Sequence, residues 1–515
     1  MANLFKLSPK RYLIISVTGV TVLTFITGAL FLLALNFDGI EFNGDSYVYF
    51  NDARHFSAAV SEHIFPRPSH WPYGYPAILS LSFALGDISF ESARWVNVFL
   101  GGFLVAVLCS ISLLISEIKK LSINQSLLII VTVGLLPLGH GPFIKYQISM
   151  MSDMTAAFLS SLMMLLCWRW RISGYLINII LSGVVLGLLM STRYVYSLMF
   201  IPALIVLLCD INLRQTYSVY RKLLPTFIFA GCALLAFVPQ LSITLQDTSS
   251  SLGNELLKDW SINNFFTLTH ESIDGRQSAK VPSVLYYLIL PFRFQCFTPF
   301  ATILVALGIL YAFRELPKWF WLSIIIWYAI FYILLCGLPL QNGRIGFPLF
   351  LPITIWMPLG LLECMIRWKN QFNKILILVS LTWCLSLAFS SHSIWNFIKT
   401  KNDLKITAES VTKAVPIQSR VISTSLYAVY NAYPMDVEPL SIYQMSITEA
   451  EHLFSGNSTT PVFLAIDEDF FIPQWSNYPA GKCFYWIRNH YSCIYKCKID
   501  NYTVYEIKPG NKLLP

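Results

Sequence analysis

Eleven apolar runs constrain what this chain can fold into. A bilayer core takes about 20 apolar residues per helix. Such runs lie at Tyr12–Leu35 and near 93–116, 125–140, 153–168, 174–190, 194–210, 223–244, 294–313, 319–339, 345–366 and 374–391. Charge is scarce to match. The 36 Lys and Arg and 28 Asp and Glu make 12% of 515 residues, about half the share in a soluble domain. This excludes a soluble enzyme and a disordered chain, and no low-complexity, collagen-like or coiled-coil stretch is present. The net charge of +8 is explained by Lys and Arg flanking spans on one side, so no nucleic-acid partner is expected.

The loops fix an orientation. With the N-terminus inside, the inner loops hold Lys119, Lys120, Arg169, Arg171, Arg214, Arg221, Lys222, Arg314, Lys318, Arg367, Lys369 and Lys374, as the positive-inside rule asks. Counting Tyr75–Leu85 as a further span would put that basic set outside. The segment is short and reads better as an interfacial helix. The first run is too long for a signal peptide and lacks a small-residue cleavage site, so it reads as an anchor. The expected protein is a multi-pass protein of the plasma (inner) membrane, with its N-terminus cytoplasmic and its tail periplasmic or extracellular.

Residues 1–391 form the expected transmembrane domain. Its large outer loops are 36–92, with surface helices, and 245–293. Residues 392–515 read as a small α/β domain outside the membrane, with strand-like runs at Arg420–Ser425, Pro461–Ile466 and Thr503–Ile507 and a helix-like stretch after Asp403. Eight of the eleven cysteines fall in spans. Two of Cys483, Cys493 and Cys497 could pair in an oxidising compartment. No His/Cys pair follows Cys493 and Cys497 to complete a zinc site. No internal repeat is visible, which weighs against an inverted-repeat transporter.

The first outer loop carries chemistry. Asp45, Tyr49, Asp52 and Phe56 recur at helical spacing, so both carboxylates share one face of a surface helix, with Asn43 as its N-cap. Asp45 could simply serve the helix start, but a carboxylate beside hydrocarbon is costly and usually functional. Arg67 and His70 precede Trp71-Pro-Tyr-Gly-Tyr-Pro76, a turn before a short apolar helix.

Several blocks, in this order, resemble the GT-C fold of polyprenyl-phosphate-dependent glycosyltransferases. The pattern is similar to the aminoarabinose transferases of lipid A and the protein O-mannosyltransferases. The blocks are Gly44-Asp45 after the first span, the Pro-x-Gly-Tyr-Pro element, Ser92-Ala-Arg-Trp-Val-Asn97, Tyr146 with Asp153, Ser191-Thr-Arg193, Asp274-Gly-Arg276 with Tyr287, and Gln341-Asn-Gly-Arg344 with Pro348. Two departures stand out. One carboxylate, Asp45, stands where the family has Asp-Glu, and His70-Trp71-Pro72 stands where the aminoarabinose transferases have Glu-Lys-Pro.

The resemblance fits the expected all-α polytopic protein of about 11 transmembrane helices with outer juxtamembrane helices; the small C-terminal α/β domain is read from its own strand-like runs, without a matching block in the family. The resemblance implies inverting transfer of a sugar from a polyprenyl-phosphate carrier to a glycan, lipid or protein acceptor outside the membrane. Asp45 is the candidate base and Asp153 its partner or the acceptor's. Arg193, Arg276 and Arg344 are the phosphate candidates, with Lys145, Lys280 and Arg293 behind them. His70 and Tyr49 complete the substrate-binding set. Tyr146, Tyr286 and Tyr287 read as membrane-belt aromatics. No cofactor is expected: the chemistry requires no divalent metal, and Asp45, Asp52 and Asp153 are too separated to read as a ligand cluster. A lipid-linked sugar flippase or transporter, and more weakly a structural assembly protein, are the other classes. Acids at the outer surface and nearly uncharged spans favour the enzyme.

Overall fold

The computed structural model describes residues 9–34, 44–69, 71–209, 216–246, 255–272, 275–432, 435–443, 445–455 and 460–508. Helix α1 (Pro9–Ala34) is the first apolar run. In the first long loop, α2 (Gly44–Ser61) and α3 (Gly74–Leu85) pack on each other around Tyr49, Phe50, Tyr75, Leu79 and Phe83. The Ser89 hydroxyl accepts the Ser92 N–H to start α4 (Phe90–Lys119). Lys120 ends it in the left-handed region (φ 49°), which returns its N–H to the last carbonyls.

A capping box between Ser122 and Gln125 opens α5 (Ile123–Leu135). The apolar run continues, but the helix does not. Pro137 lies in a 3-10 turn at Leu136–Gly139 and Pro142 in the first turn of the next helix, and the chain bends by 70° into that helix, α6 (Gly141–Ile148), since proline cannot extend the N–H ladder. Next come α7 (Ser152–Ser173), α8 (Leu176–Thr192), a 3-10 turn at Tyr194–Met199, α9 (Phe200–Leu208) and α10 (Thr216–Thr244). The second long loop holds α11 (Glu255–Lys258), a hairpin of β1 (Thr269–Ser272) and β2 (Gly275–Ser278), and α12 (Ser283–Ile289). The bundle is completed by α13 (Ala301–Glu315), α14 (Lys318–Gly337), α15 (Phe350–Arg367) and α16 (Phe372–Ala414). Where α13 crosses α15, a Cβ on Gly308 would overlap the Trp356 carbonyl and one on Gly360 the Leu304 carbonyl. Such close approach holds helices together in lipid, where burying apolar surface contributes little.

Among the described residues, six helices are long and apolar enough to cross a membrane, or seven if α5 and α6 form one bent span. The multi-pass helical class is the one the runs implied, but the eleven runs do not all become uninterrupted long helices. The run at 194–210 is a 3-10 turn and a short helix. α7 is long but carries Ser160 and Ser161 mid-helix and Arg169 and Arg171 near its end, and those serines are buried in the bundle.

α16 passes 391 without a break and delivers Ala408 and Val411 to one face of the C-terminal sheet. After it come β3 (Ser419–Ser423), α17 (Leu426–Ala432), β4 (Val437–Ser441), α18 (Ile447–Ser455), β5 (Val462–Ile466), α19 (Glu468–Trp475), α20 (Pro479–His490), β6 (Ser492–Ile499) and β7 (Tyr502–Lys508). The strand order is β4-β3-β5-β7-β6, with β4, β3 and β5 parallel and β7 antiparallel to β5. β5 is buried throughout because both sheet faces are covered: Phe463 and Ala465 join the α16 side, and Leu464 and Ile466 join Phe471 and Phe484. All eleven cysteines are free thiols, Cys483, Cys493 and Cys497 included. Cys493 and Cys497 share the edge strand β6, and Cys483 is buried in α20.

Candidate active site

Four segments far apart in sequence converge at one end of the bundle: the first turn of α2, the first turn of α7, the residue after α8 and the turn after α14. Each is held by its own bonds. The Ser46 hydroxyl donates to the Met150 carbonyl (2.9 Å) and pins α2 to the loop before α7. From α4, the Asn97 amide donates to the Ser149 and Met151 carbonyls of that loop, the latter at 2.8 Å. Across the bundle, the Tyr287 hydroxyl donates to the Leu340 carbonyl and accepts the Asn342 N–H, each at 3.3 Å. Asn342 Oδ1 then accepts the Arg344 N–H (2.8 Å). Tyr146 and Tyr287 are therefore buried framework residues rather than belt aromatics.

The turns bring Asp45, Tyr49, Asp153, Arg193 and Arg344 together. Arg344 donates from Nη1 to Asp45 Oδ2 (2.7 Å) and from Nε to Asp153 Oδ2 (3.1 Å). Arg193 donates from Nη2 to the same Asp153 oxygen (3.0 Å) and from Nε to Ser152 Oγ (2.8 Å). Tyr49 shares a hydrogen bond with that Ser152 hydroxyl (2.9 Å). The Asp153 side chain is 2% accessible and Asp45 is 30% accessible. Burial opposes the charge on Arg344, but the carboxylates of Asp153 and Asp45 outweigh it and hold the guanidinium above its ordinary pKa. Arg193 is raised in the same way: burial works against it, and Asp153 prevails. Burial also pushes the Tyr49 phenol up, against the pull of Arg193 and Arg344. The cluster thus has two fixed cations, one sealed carboxylate and one carboxylate open to solvent.

The remaining candidates lie elsewhere. Arg276 is on β2, exposed, with Glu271 of the facing strand as its ionic neighbour (3.9 Å). The four-residue strand that carries it packs against α19 of the C-terminal domain. His70 and Asn43 lie outside the described residues. Asp52 is buried and accepts a hydrogen bond from Ser69. Lys145 lies over the Phe397 ring (4.6 Å), and Lys280 is exposed. Arg293 stacks on Tyr286 (4.7 Å), whose hydroxyl would lie 3.6 Å from a Cβ on Gly343, so this cation borders the Arg344 turn. Ser152, which ties Tyr49 to Arg193, was missed in the sequence reading. Its only signal is its place beside Asp153 at a helix start. Among the described residues no three His, Cys, Asp or Glu side chains are grouped to hold a metal ion.

No protein-family model matches the sequence, and no curated protein sequence matches it. Solved structures do. The chain is similar to ArnT from Cupriavidus metallidurans bound to undecaprenyl phosphate, with a TM-score of 0.59, 12% identity, and 95% of this chain and 98% of that one covered. The apo state of ArnT gives a TM-score of 0.56 at the same identity and coverage. The apo oligosaccharyltransferase of Archaeoglobus fulgidus gives 0.51 at 12% identity, over 97% of this chain and 75% of that one. These structures are GT-C glycosyltransferases, and this multi-pass membrane chain has the GT-C fold.

Proposed function

We propose that the protein transfers a sugar from a polyprenyl-phosphate carrier to an acceptor on the extracytoplasmic face of the plasma (inner) membrane. The observation that carries this reading is the accessible Asp45 bonded to Arg344 at the edge of an otherwise sealed ion cluster. The GT-C fold and the ArnT structure bound to undecaprenyl phosphate support it.

In this mechanism a lone pair on the acceptor oxygen or nitrogen attacks the anomeric carbon. The acceptor proton passes to Asp45, and the bond from the anomeric carbon to the phosphate oxygen breaks with its electrons leaving on phosphate. One direct displacement inverts the sugar. Asp153, sealed under two arginines, cannot reach an acceptor and acts by positioning Arg344 and Arg193. Arg344 stabilises the departing phosphate, because its Nη2 has no partner among the described residues and a guanidinium matches phosphate geometry. Arg293 is the second cation on that rim.

The test is turnover of a polyprenyl-phosphate sugar by the purified protein. Conversion of donor to glycosylated acceptor supports the enzyme. Movement of the intact lipid-linked sugar across a vesicle bilayer with no transfer refutes it in favour of a flippase. Labelling of a cysteine placed at Ser410 checks the orientation: access from the cytoplasmic side alone would reverse it.

A further inference from the structure

The C-terminal sheet has a topological switch between β3 and β5. From β3 the chain runs through α17 to β4 on one side; from β5 it runs through α19 and α20 to β6 on the other. Diverging connections leave a crevice at the carboxyl ends of two parallel strands, where open α/β sheets take ligands. Here that edge is polar and aromatic. Ser423 ends β3 and Thr424 and Ser425 follow it, Asp467 follows β5, Tyr443 follows β4 and Tyr502 opens β7. Thr503 of β7 pairs with Ile466, the last residue of β5, which sets Tyr502 beside Asp467, and the Asp467 charge acts on both Tyr502 and Tyr443. The Tyr443 ring lies 4.9 Å from that of Trp475. Ser423 Oγ and Trp475 Nε1 are buried without a hydrogen-bond partner among the described residues, and buried polar atoms left unpaired ask for an explanation.

One connection from this edge touches the helix that carries Asp45. α17 begins directly after Ser425 and packs on α2, where the Tyr427 ring meets Tyr47 at 6.3 Å, nearly perpendicular. Tyr47 is two residues from Asp45. On the other flank, Gly275 of the β1–β2 hairpin sits against the Gln474 backbone, next to Trp475.

We propose that this sheet edge binds the saccharide part of the acceptor and presents it to Asp45. The inference rests on the transferase reading. Hydroxyls, one carboxylate and two aromatic rings suit a ligand with many hydroxyl groups and apolar C–H faces. The set contains no cation, which disfavours a phosphate or other anion as the group bound here.

The experiment uses the full-length protein in lipid nanodiscs. Its probes are an array of bacterial lipopolysaccharide-core, teichoic-acid and peptidoglycan oligosaccharides. At least one glycan should bind, with affinity reduced tenfold or more by Asp467→Asn and by Tyr443→Ala and unchanged by Glu363→Gln at the opposite end of the bundle. Asp467→Asn keeps an oxygen for the Phe470 N–H that Asp467 now caps, so loss of binding will not reflect loss of the helix. Absence of any bound glycan, or binding indifferent to both substitutions, overturns the proposal. Undecaprenyl-phosphate binding on the same sample separates the two readings. Donor bound without glycan refutes this site alone; glycan bound without donor refutes the catalytic assignment and leaves the site standing.

Discussion

The two ends of the helix bundle each hold a buried carboxylate between two arginines, built in opposite senses. At the end carrying Arg314 and Arg367, Glu363 is 1% accessible and its partners are 42% and 47% accessible. Arg314 meets both carboxylate oxygens, at 2.9 and 3.0 Å. Lys119 with Glu315 and Arg169 with Glu117 extend this set across neighbouring helix ends. At the other end Asp153 is equally sealed, but Arg193 and Arg344 are only 17% and 18% accessible, and Arg344 reaches on to the open Asp45. Exposed arginines on a sealed acid staple helices while their heads stay in water. Shielded arginines beside an open acid do something a staple does not need: in the proposed mechanism they fix positive charge where a substrate can reach it. The same residue types therefore serve packing at one end and, in the proposed mechanism, chemistry at the other.

Asp45→Asn bears hardest on this contrast. Asn caps a helix about as well as Asp, so a merely structural Asp45 leaves turnover within a few-fold of wild type. A general base removed costs about 10²–10⁴-fold in kcat, with the melting temperature unchanged. Next comes Arg344→Ala, which removes a charge-assisted contact of about 1.5–3 kcal/mol. Donor kcat/KM should fall by roughly tenfold to over a hundredfold, and wild-type kinetics would exclude Arg344 from phosphate binding. Glu363→Gln probes the other end and should do the reverse. Thermal unfolding should show a loss of about 1–3 kcal/mol with turnover unaltered; a fall in kcat at constant stability would end the distinction between the two ends. The smallest effect is expected from Asp52→Asn. It lies on the same helix as Asp45 but is buried against Ser69, so activity should stay within a few-fold and well above that of Asp45→Asn.

Much of this site could be read from the chain. Asp45 and Tyr49 share a face at helical spacing, and Asp153, Arg193 and Arg344 stand next to apolar runs, where hydrocarbon makes a charge expensive. Arg276 reads as a candidate because it lies in the large loop 245–293. It sits instead on an exposed hairpin against the C-terminal domain, because composition does not say where a loop lands. Ser152 gave almost no signal, since one serine before a helix is commonplace. β4 and β6 were not read as strands: Pro439 sits inside β4, and β6 is a partly exposed edge strand carrying Lys496 and Lys498.

By itself the sequence determined that this is a multi-pass helical membrane protein with an α/β tail. Apolar length and charge scarcity are local properties, and a bilayer sorts segments by them. It also marked the acids and arginines at the span ends. Only the tertiary structure decided which of them meet. Arg344 pairs with an aspartate 299 residues away, and no periodicity encodes such a contact. Only the packed bundle could seal Asp153 and leave Asp45 open, because accessibility belongs to all the surrounding elements at once.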